Sequence, residues 1–201
     1  MPKLPKEFYL RENVLQITTE LLGKFLVTKI NGAITGGMIT EAEAYAGEID
    51  SASHAFKGRR TRRNEIMFAH GGTAYVYICY GIHHLFNVVT NQKDIPHAIL
   101  IRGIEPTEGI EVMLKRRKMK APNFSLTAGP GALSQAMGIH VRHTGLDLLG
   151  DIIWIEDRGV KIPPRKILRT IRVGVESSGK DARLPYRYII KDNPWVTRTP
   201  R

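Results

Sequence analysis

Thr73-Ala74-Tyr75-Val76-Tyr77-Ile78-Cys79-Tyr80-Gly81 is dense in aromatic and β-branched side chains, which favour a pleated, half-buried strand. Gly81 permits a turn and Leu85 to Thr90 reads as the return strand, so this stretch predicts a β-hairpin with Tyr80 near its tip. Alternation within the strand puts Tyr75 and Tyr77 on one face and Tyr80 on the other. Upstream, Lys24 to Ile30 alternates as a strand, Asn31-Gly32 is a strong hairpin signal, and the return strand runs from Ala33 to about Thr40. Gly36-Gly37 suggests a bulge in it, and its end delivers Glu41-Ala42-Glu43-Ala44-Tyr45. Thr18 and Thr19 precede a short helix at Glu20-Leu21-Leu22 that Gly23 closes. Residues 46–63 read as loop, rich in Gly, Ser and Arg, followed by a helical turn at Glu65-Ile66-Met67-Phe68.

Downstream, His97 to Ile104 is a further strand ending in Glu105-Pro106. Thr107 is placed to cap a helix in which Ile110, Met113 and Leu114 share a face, with Lys115 to Lys120 at the end that suits cations. Gly129-Pro130-Gly131 through Gly138 reads as a helix started by proline and stopped by glycine. Short strands around Ile152–Ile155, Ile171–Val175 and Tyr186–Ile190 complete the chain. Strands dominate and hairpins join them. The expected fold is mixed α+β: a single domain over residues 1–201, with a curved, largely antiparallel sheet, surrounding helices and a protruding β-hairpin.

Thirty Lys and Arg against nineteen Asp and Glu give a net charge of +11, which points to a polyanionic partner, nucleic acid before anionic membrane. The single Cys79 excludes an intramolecular disulfide framework, a four-cysteine zinc ribbon and a cysteine-held iron–sulfur cluster. The opening residues have no apolar run suited to a signal peptide, and no window approaches the ~20 apolar residues of a membrane-spanning helix. The expected location is the cytoplasm, at the nucleoid in a bacterium, or the nucleus in a eukaryote.

Several residue groups could carry chemistry. Glu43, at the end of a strand that opens onto an Arg-rich loop, could activate water or stabilise a cationic sugar-like transition state; it could equally be a solvated acidic turn paired with arginine. Tyr45, Tyr75, Tyr77 and Tyr80, with His54, could stack on an extruded base or simply fill a sheet core. Tyr80 beside Gly81 is either a surface residue or a wedge that enters a duplex. His83 and His84 face opposite ways on a strand and cannot readily share an ion, there is no HExxH, and no metal or other cofactor is expected. Gly129-Pro130-Gly131 lacks the Gly-Lys-Ser/Thr of a phosphate loop. Arg59, Arg60, Arg62 and Arg63 and the basic helix end suit phosphate contact without sequence specificity.

Together, Thr40-Glu41-Ala42-Glu43-Ala44-Tyr45, His54, Thr61-Arg62-Arg63-Asn64, Met67-Phe68 and Gly72 to Gly81 resemble the alkyladenine (3-methyladenine) DNA glycosylase family of base excision repair. Asn87, Arg102-Gly103-Ile104-Glu105-Pro106, Ala128-Gly129-Pro130, Arg172-Val173-Gly174-Val175 and Asn193-Pro194-Trp195-Val196 extend the resemblance from about residue 8 to 198, without the long N-terminal extension of mammalian members. The resemblance implies a monofunctional glycosylase that flips alkylated or deaminated purines (3-methyladenine, 7-methylguanine, hypoxanthine, etheno-adenine) from duplex DNA and hydrolyses the N-glycosidic bond. Within it, Glu43 corresponds to the carboxylate that activates water, and Arg102 and the Val173 carbonyl help hold that water. Tyr45, His54 and Tyr77 form the base pocket, Asn87 crowds the amine of normal guanine, and Tyr80 is the minor-groove wedge. The expected partner is damaged double-stranded DNA, bound by a monomer. The competing readings are a minor-groove damage-binding protein without catalysis, which would not need Glu43 in an aromatic pocket, and a metal-dependent nuclease, for which no convincing ligand set exists.

Overall fold

In the computed structural model, which describes residues 1–197, Asn31 and Gly32 take φ of +54° and +76°. These are the left-handed values that a tight hairpin turn requires, and they join β1 (Phe25–Ile30) to β2 (Ala33–Tyr45). The return strand therefore continues past Thr40 and carries Glu41, Glu43 and Tyr45 inside the sheet. β2 is the hub. Its first half pairs with β1, its Glu41–Glu43 stretch pairs on that edge with β8 (Arg187–Ile190), and β5 (His97–Glu108) runs along the other edge. The order is β3 (Ala74–Cys79), β4 (His83–Thr90), β5, β2, β1, β6 (Ile153–Glu156), with β7 (Ile167–Thr170) attached through β8. Every pairing is antiparallel. Register shifts at Gly36/Gly37 and on both sides of Glu41 bend β2, and the sheet curls into part of a barrel.

Strand alternation separates two faces. Ala42, Ala44, Val76, Phe86, Val88, Ile99 and Ile101 join the main apolar core with residues of α2 (Val14–Leu21), α3 (Ile110–Arg117) and α4 (Pro130–Met137). Leu4 and Tyr9, around the short α1 (Lys6–Tyr9), extend that core. The other face carries a smaller cluster, in which Tyr75, Val89 and Ala98 meet Ala55, Met67 and Phe68 from the connection between β2 and β3. The fold is α+β, as expected. Among the described residues no helix is long and apolar enough to cross a membrane.

Some local expectations are corrected. The second helix begins at Val14 under Asn13, whose side chain accepts the Gln16 N–H at 3.0 Å; Thr18 and Thr19 lie inside it and bond back to the Val14 and Leu15 carbonyls. Thr107 is a β5 residue, and α3 starts after Gly109, whose left-handed φ of +65° makes the turn without a side-chain cap. Residues 171–175 form no strand, because β7 ends at Thr170 and Arg172 and Val173 turn inward to partners described below. Tyr80 lies in the turn beyond β3 and does not continue its alternation. The helix from Pro130 to Met137, stopped by Gly138 at φ +73°, and the turn at Glu65–Phe68 are as expected.

Candidate active site

One line of cross-strand neighbours assembles the site. Tyr75 of β3 stands opposite Asn87 of β4, Asn87 opposite Leu100 of β5, Leu100 opposite Glu43 of β2, and Glu43 opposite Arg187 of β8. A cavity of about 210 Å³ is lined by Tyr45, His54, Met67, Tyr75, Tyr77 and Asn87. A second, of about 310 Å³, shares Tyr45, Tyr77 and Cys79 with the first and adds Tyr80, Arg102 and Val173. A larger cavity of about 550 Å³ beside Leu4, Phe8, Leu22 and Ile162 contains none of these groups, and its Lys24 and Asp157 are already paired at 2.6 Å.

Glu43 is fully buried, which removes the solvated-turn reading. Its Oε1 accepts the Val173 N–H at 2.8 Å and its Oε2 accepts the Tyr45 hydroxyl at 2.9 Å. Arg102 Nε stands 3.4 Å from Oε1. Burial pushes the Glu43 carboxyl above its ordinary range, helped by the neighbouring charge of Glu41, and outweighs the opposing pull of Arg102, the Val173 N–H and Tyr45. Tyr45 is raised well above the usual phenol by burial and by Glu43, so it stays a donor at neutral pH. Val173 thus touches Glu43 through its N–H, whereas the role that the family resemblance implies is one of its carbonyl.

Behind the site lies a second buried carboxylate that sequence reasoning did not single out. Glu41 accepts from Arg102 Nε at 2.7 Å, Arg187 Nε at 2.8 Å, the Thr197 N–H at 2.6 Å and the Thr197 hydroxyl. Burial alone would raise it, but Arg102, Arg187 and Thr197 prevail and hold it below its ordinary range. Gly103 is needed here, since a Cβ would come within 2.6 Å of the Trp195 carbonyl. The signal that could have found Glu41 is its spacing: residues two apart on a strand share a face, so Glu41, Glu43 and Tyr45 point the same way.

Arg172, also buried, bonds both Asp50 oxygens at 2.5 and 2.8 Å and the Ala44 carbonyl, and its guanidinium lies 4.8 Å from the Tyr45 ring centre. It therefore backs Tyr45 while fixing the backbone that presents Val173. Around the first cavity, His54 Nδ1 meets the Tyr75 hydroxyl at 2.8 Å, and its ring lies edge-on to Tyr77 at 4.8 Å. Packing against these rings, then the charges of Arg63 and Arg59, keeps His54 below the ordinary imidazole range, so it is neutral at pH 7. The Asn87 amide donates to the Tyr75 and Leu85 carbonyls, which holds its side chain rigidly at the cavity wall. Arg63 leaves the basic run to lie over Tyr77, with its centre 5.4 Å from the ring, whereas Arg60 pairs with Glu65 and Asp94. Tyr80 is 86% exposed at the hairpin tip. Of the remaining histidines, His83 lines the second cavity and His140 also meets His143, with ring centres 6.1 Å apart. His97 contacts Asn91, and His84 lies against His140 with ring centres 4.8 Å apart. Among the described residues no three His, Cys, Asp or Glu side chains converge as a metal-ligand set.

A buried carboxylate beside an aromatic cavity, below an exposed aromatic tip in a basic chain, suits an enzyme that acts on a base drawn out of a nucleic acid. The family model described as methylpurine-DNA glycosylase matches residues 7–194. The chain belongs to the methylpurine-DNA glycosylase family and is a DNA glycosylase. Curated relatives named "Putative 3-methyladenine DNA glycosylase" include one from Chlamydia felis, 42% identical over 188 residues, covering 93% of this chain and 95% of the relative. Another, from Clostridium perfringens, is 40% identical over 206 residues, covering 98% and 99%. A third, from Clostridium acetobutylicum, is 42% identical over 202 residues, covering 97% of each.

Proposed function

We propose that this glycosylase removes 3-methyladenine, and with it 7-methylguanine, hypoxanthine and etheno-adenine, from duplex DNA with a water activated by Glu43. The observation that carries the reading is the environment of Glu43: a buried carboxylate of raised proton affinity, hydrogen-bonded to Tyr45, which lines both cavities. A base of that kind accepts the proton of a water attacking C1′ of the deoxyribose, and its negative charge opposes the positive charge developing on the sugar. The C1′–N bond breaks with its electron pair leaving on the purine, and an abasic site remains. Arg102 and the Val173 carbonyl hold the water, and Tyr45, His54 and Tyr77 hold the flipped base.

Leaving-group chemistry follows from His54. A 3- or 7-methylated purine is already cationic and departs unaided, and electron-rich rings attract its charge. Hypoxanthine is neutral, and the neutral imidazole of His54 offers it a hydrogen bond in place of a proton. Asn87 excludes guanine by crowding its 2-amino group, a repulsive element that its two backbone bonds make stiff. Tyr80 fills the gap left in the stack from the minor-groove side, where the basic surface meets the phosphates.

The test is single-turnover excision from a duplex bearing one hypoxanthine or one etheno-adenine, and from methylated DNA, with chelator present and strands read after alkali. Wild type should give breaks only after alkali. Glu43→Gln should lose at least about 10²-fold in rate while still binding the duplex. Undiminished excision by that variant would remove the mechanism.

A further inference from the structure

Two buried carboxylates share one guanidinium, and they share it unequally. Arg102 Nε is 2.7 Å from Glu41 and 3.4 Å from Glu43. Glu41 is further held by Arg187 from β8 and by the backbone and hydroxyl of Thr197, so it is anchored from three directions. Among the described residues, Glu43 meets two neutral donors besides Arg102, the Val173 N–H and the Tyr45 hydroxyl. We propose that Glu41 is the positioning residue of the site: by taking the direct hydrogen bond of Arg102 it keeps that guanidinium beside Glu43 and off it, leaving Glu43 free to take a proton from water. This rests on the reading of Glu43 as the base and extends it to a residue two positions away.

The physical argument is electrostatic. An arginine hydrogen-bonded directly to Glu43 would hold it as a stable carboxylate with little affinity for a proton, which is a poor base. With the direct hydrogen bond of Arg102 given to Glu41, the pull of Arg102 on Glu43 is through charge alone, burial outweighs it, and Glu43 keeps its raised proton affinity. Among the described residues, the other groups facing this pair are Arg187 on β8, Arg172 behind Tyr45, Glu176, which feels the charge of Arg102, and the phenols of Tyr45 and Tyr77, both raised and therefore neutral near pH 7. Removing the charge of Glu41 acts on Glu43 twice in the same sense, because like-charge repulsion is lost and Arg102 is released toward it.

The experiment titrates Glu43 directly, by carboxyl ¹³C resonances in glutamate-labelled protein, with the signal assigned by its loss in Glu43→Gln. In Glu41→Gln the Glu43 titration should move to lower pH by about one unit or more. In Glu41→Asp, which keeps the charge but is one methylene too short for the same bond, it should also move down. The acid limb of the excision rate should follow in both variants, with a lower plateau. An unmoved Glu43 in both overturns the proposal. Movement in Glu41→Gln alone shows that Glu41 acts as a nearby charge, which overturns the positioning role. If Glu41→Gln fails to fold, Glu41→Asp decides alone. Failure of the base assignment would show separately, as full excision by Glu43→Gln, whatever the resonances of Glu43 do.

Discussion

Glu43 has opposite consequences for catalysis and for stability. A carboxyl whose folded-state pKa lies above its unfolded value stabilises the fold below the ordinary glutamate range of about 4.3, and loses that contribution as pH rises through the folded value. As pH rises through that folded value, the cost of ionising the buried Glu43 carboxyl therefore falls on the fold. Replacing it by glutamine should raise stability at pH 7 by about 0.5–2 kcal/mol, the usual range for relaxing a functional site. Urea unfolding of both proteins at pH 7 and pH 4 checks this: the difference should shrink in acid, and an unchanged or negative difference at pH 7 would count against the burial argument. Glu41 has the reverse sign. Its folded-state pKa is lowered, so its contribution is present above the ordinary range and disappears as pH falls through the folded value.

The β3–β4 hairpin combines local strain with display. Tyr80 sits at φ +50° and Gly81 at +73°, and the Ile82 N–H returns to the Cys79 carbonyl at 3.2 Å, the arrangement of a type I′ turn. An aromatic residue in the left-handed region costs about 1–2 kcal/mol relative to glycine, and nothing in the fold requires that ring, which points into solvent. Such strain at a solvent-facing tip fits a residue kept for contact with DNA. Tyr80→Gly should melt at the same or a higher temperature than wild type. It should also excise hypoxanthine from duplex more slowly by at least tenfold, with a smaller loss on single-stranded substrate. A thermal melt alongside the two excision assays tests it, and an equal loss on both substrates would remove the wedge role.

At the scale of the molecule, the +11 charge is spread unevenly. Arg59, Arg62 and Lys57 are exposed on the connection that borders the cavities, and Arg63 from the same connection lies against Tyr77. Affinity for duplex DNA should therefore depend steeply on salt, because each neutralised phosphate releases counterions. If about six phosphates are contacted, binding falls roughly 10³-fold between 50 and 200 mM salt. Fluorescence anisotropy on an undamaged duplex measures the slope, and a flat response would argue against phosphate contact as the main source of affinity.

Elements governed by their own few residues were legible in the sequence. Asn31-Gly32 dictates its turn through positive φ, Pro130 and Gly138 bracket their helix, and the β-branched and aromatic run at 74–79 forms its strand. The family to which Glu43, Tyr45, His54, Asn87 and Arg102 point was legible too, because an unusual set of residue types recurs in a known order; the roles of these residues are the ones proposed above. The buried groups behind them were not legible. Residues 171–175 have the composition of a strand, yet Arg172 leaves the sheet for Asp50, and the Val173 N–H finds Glu43 from 130 residues away. Alternation places Glu41 and Glu43 on one face but cannot say which face is buried, or that one carboxylate takes Arg102 while the other keeps its proton affinity. Those outcomes depend on long-range packing and desolvation, which exist only once the sheet has closed around them.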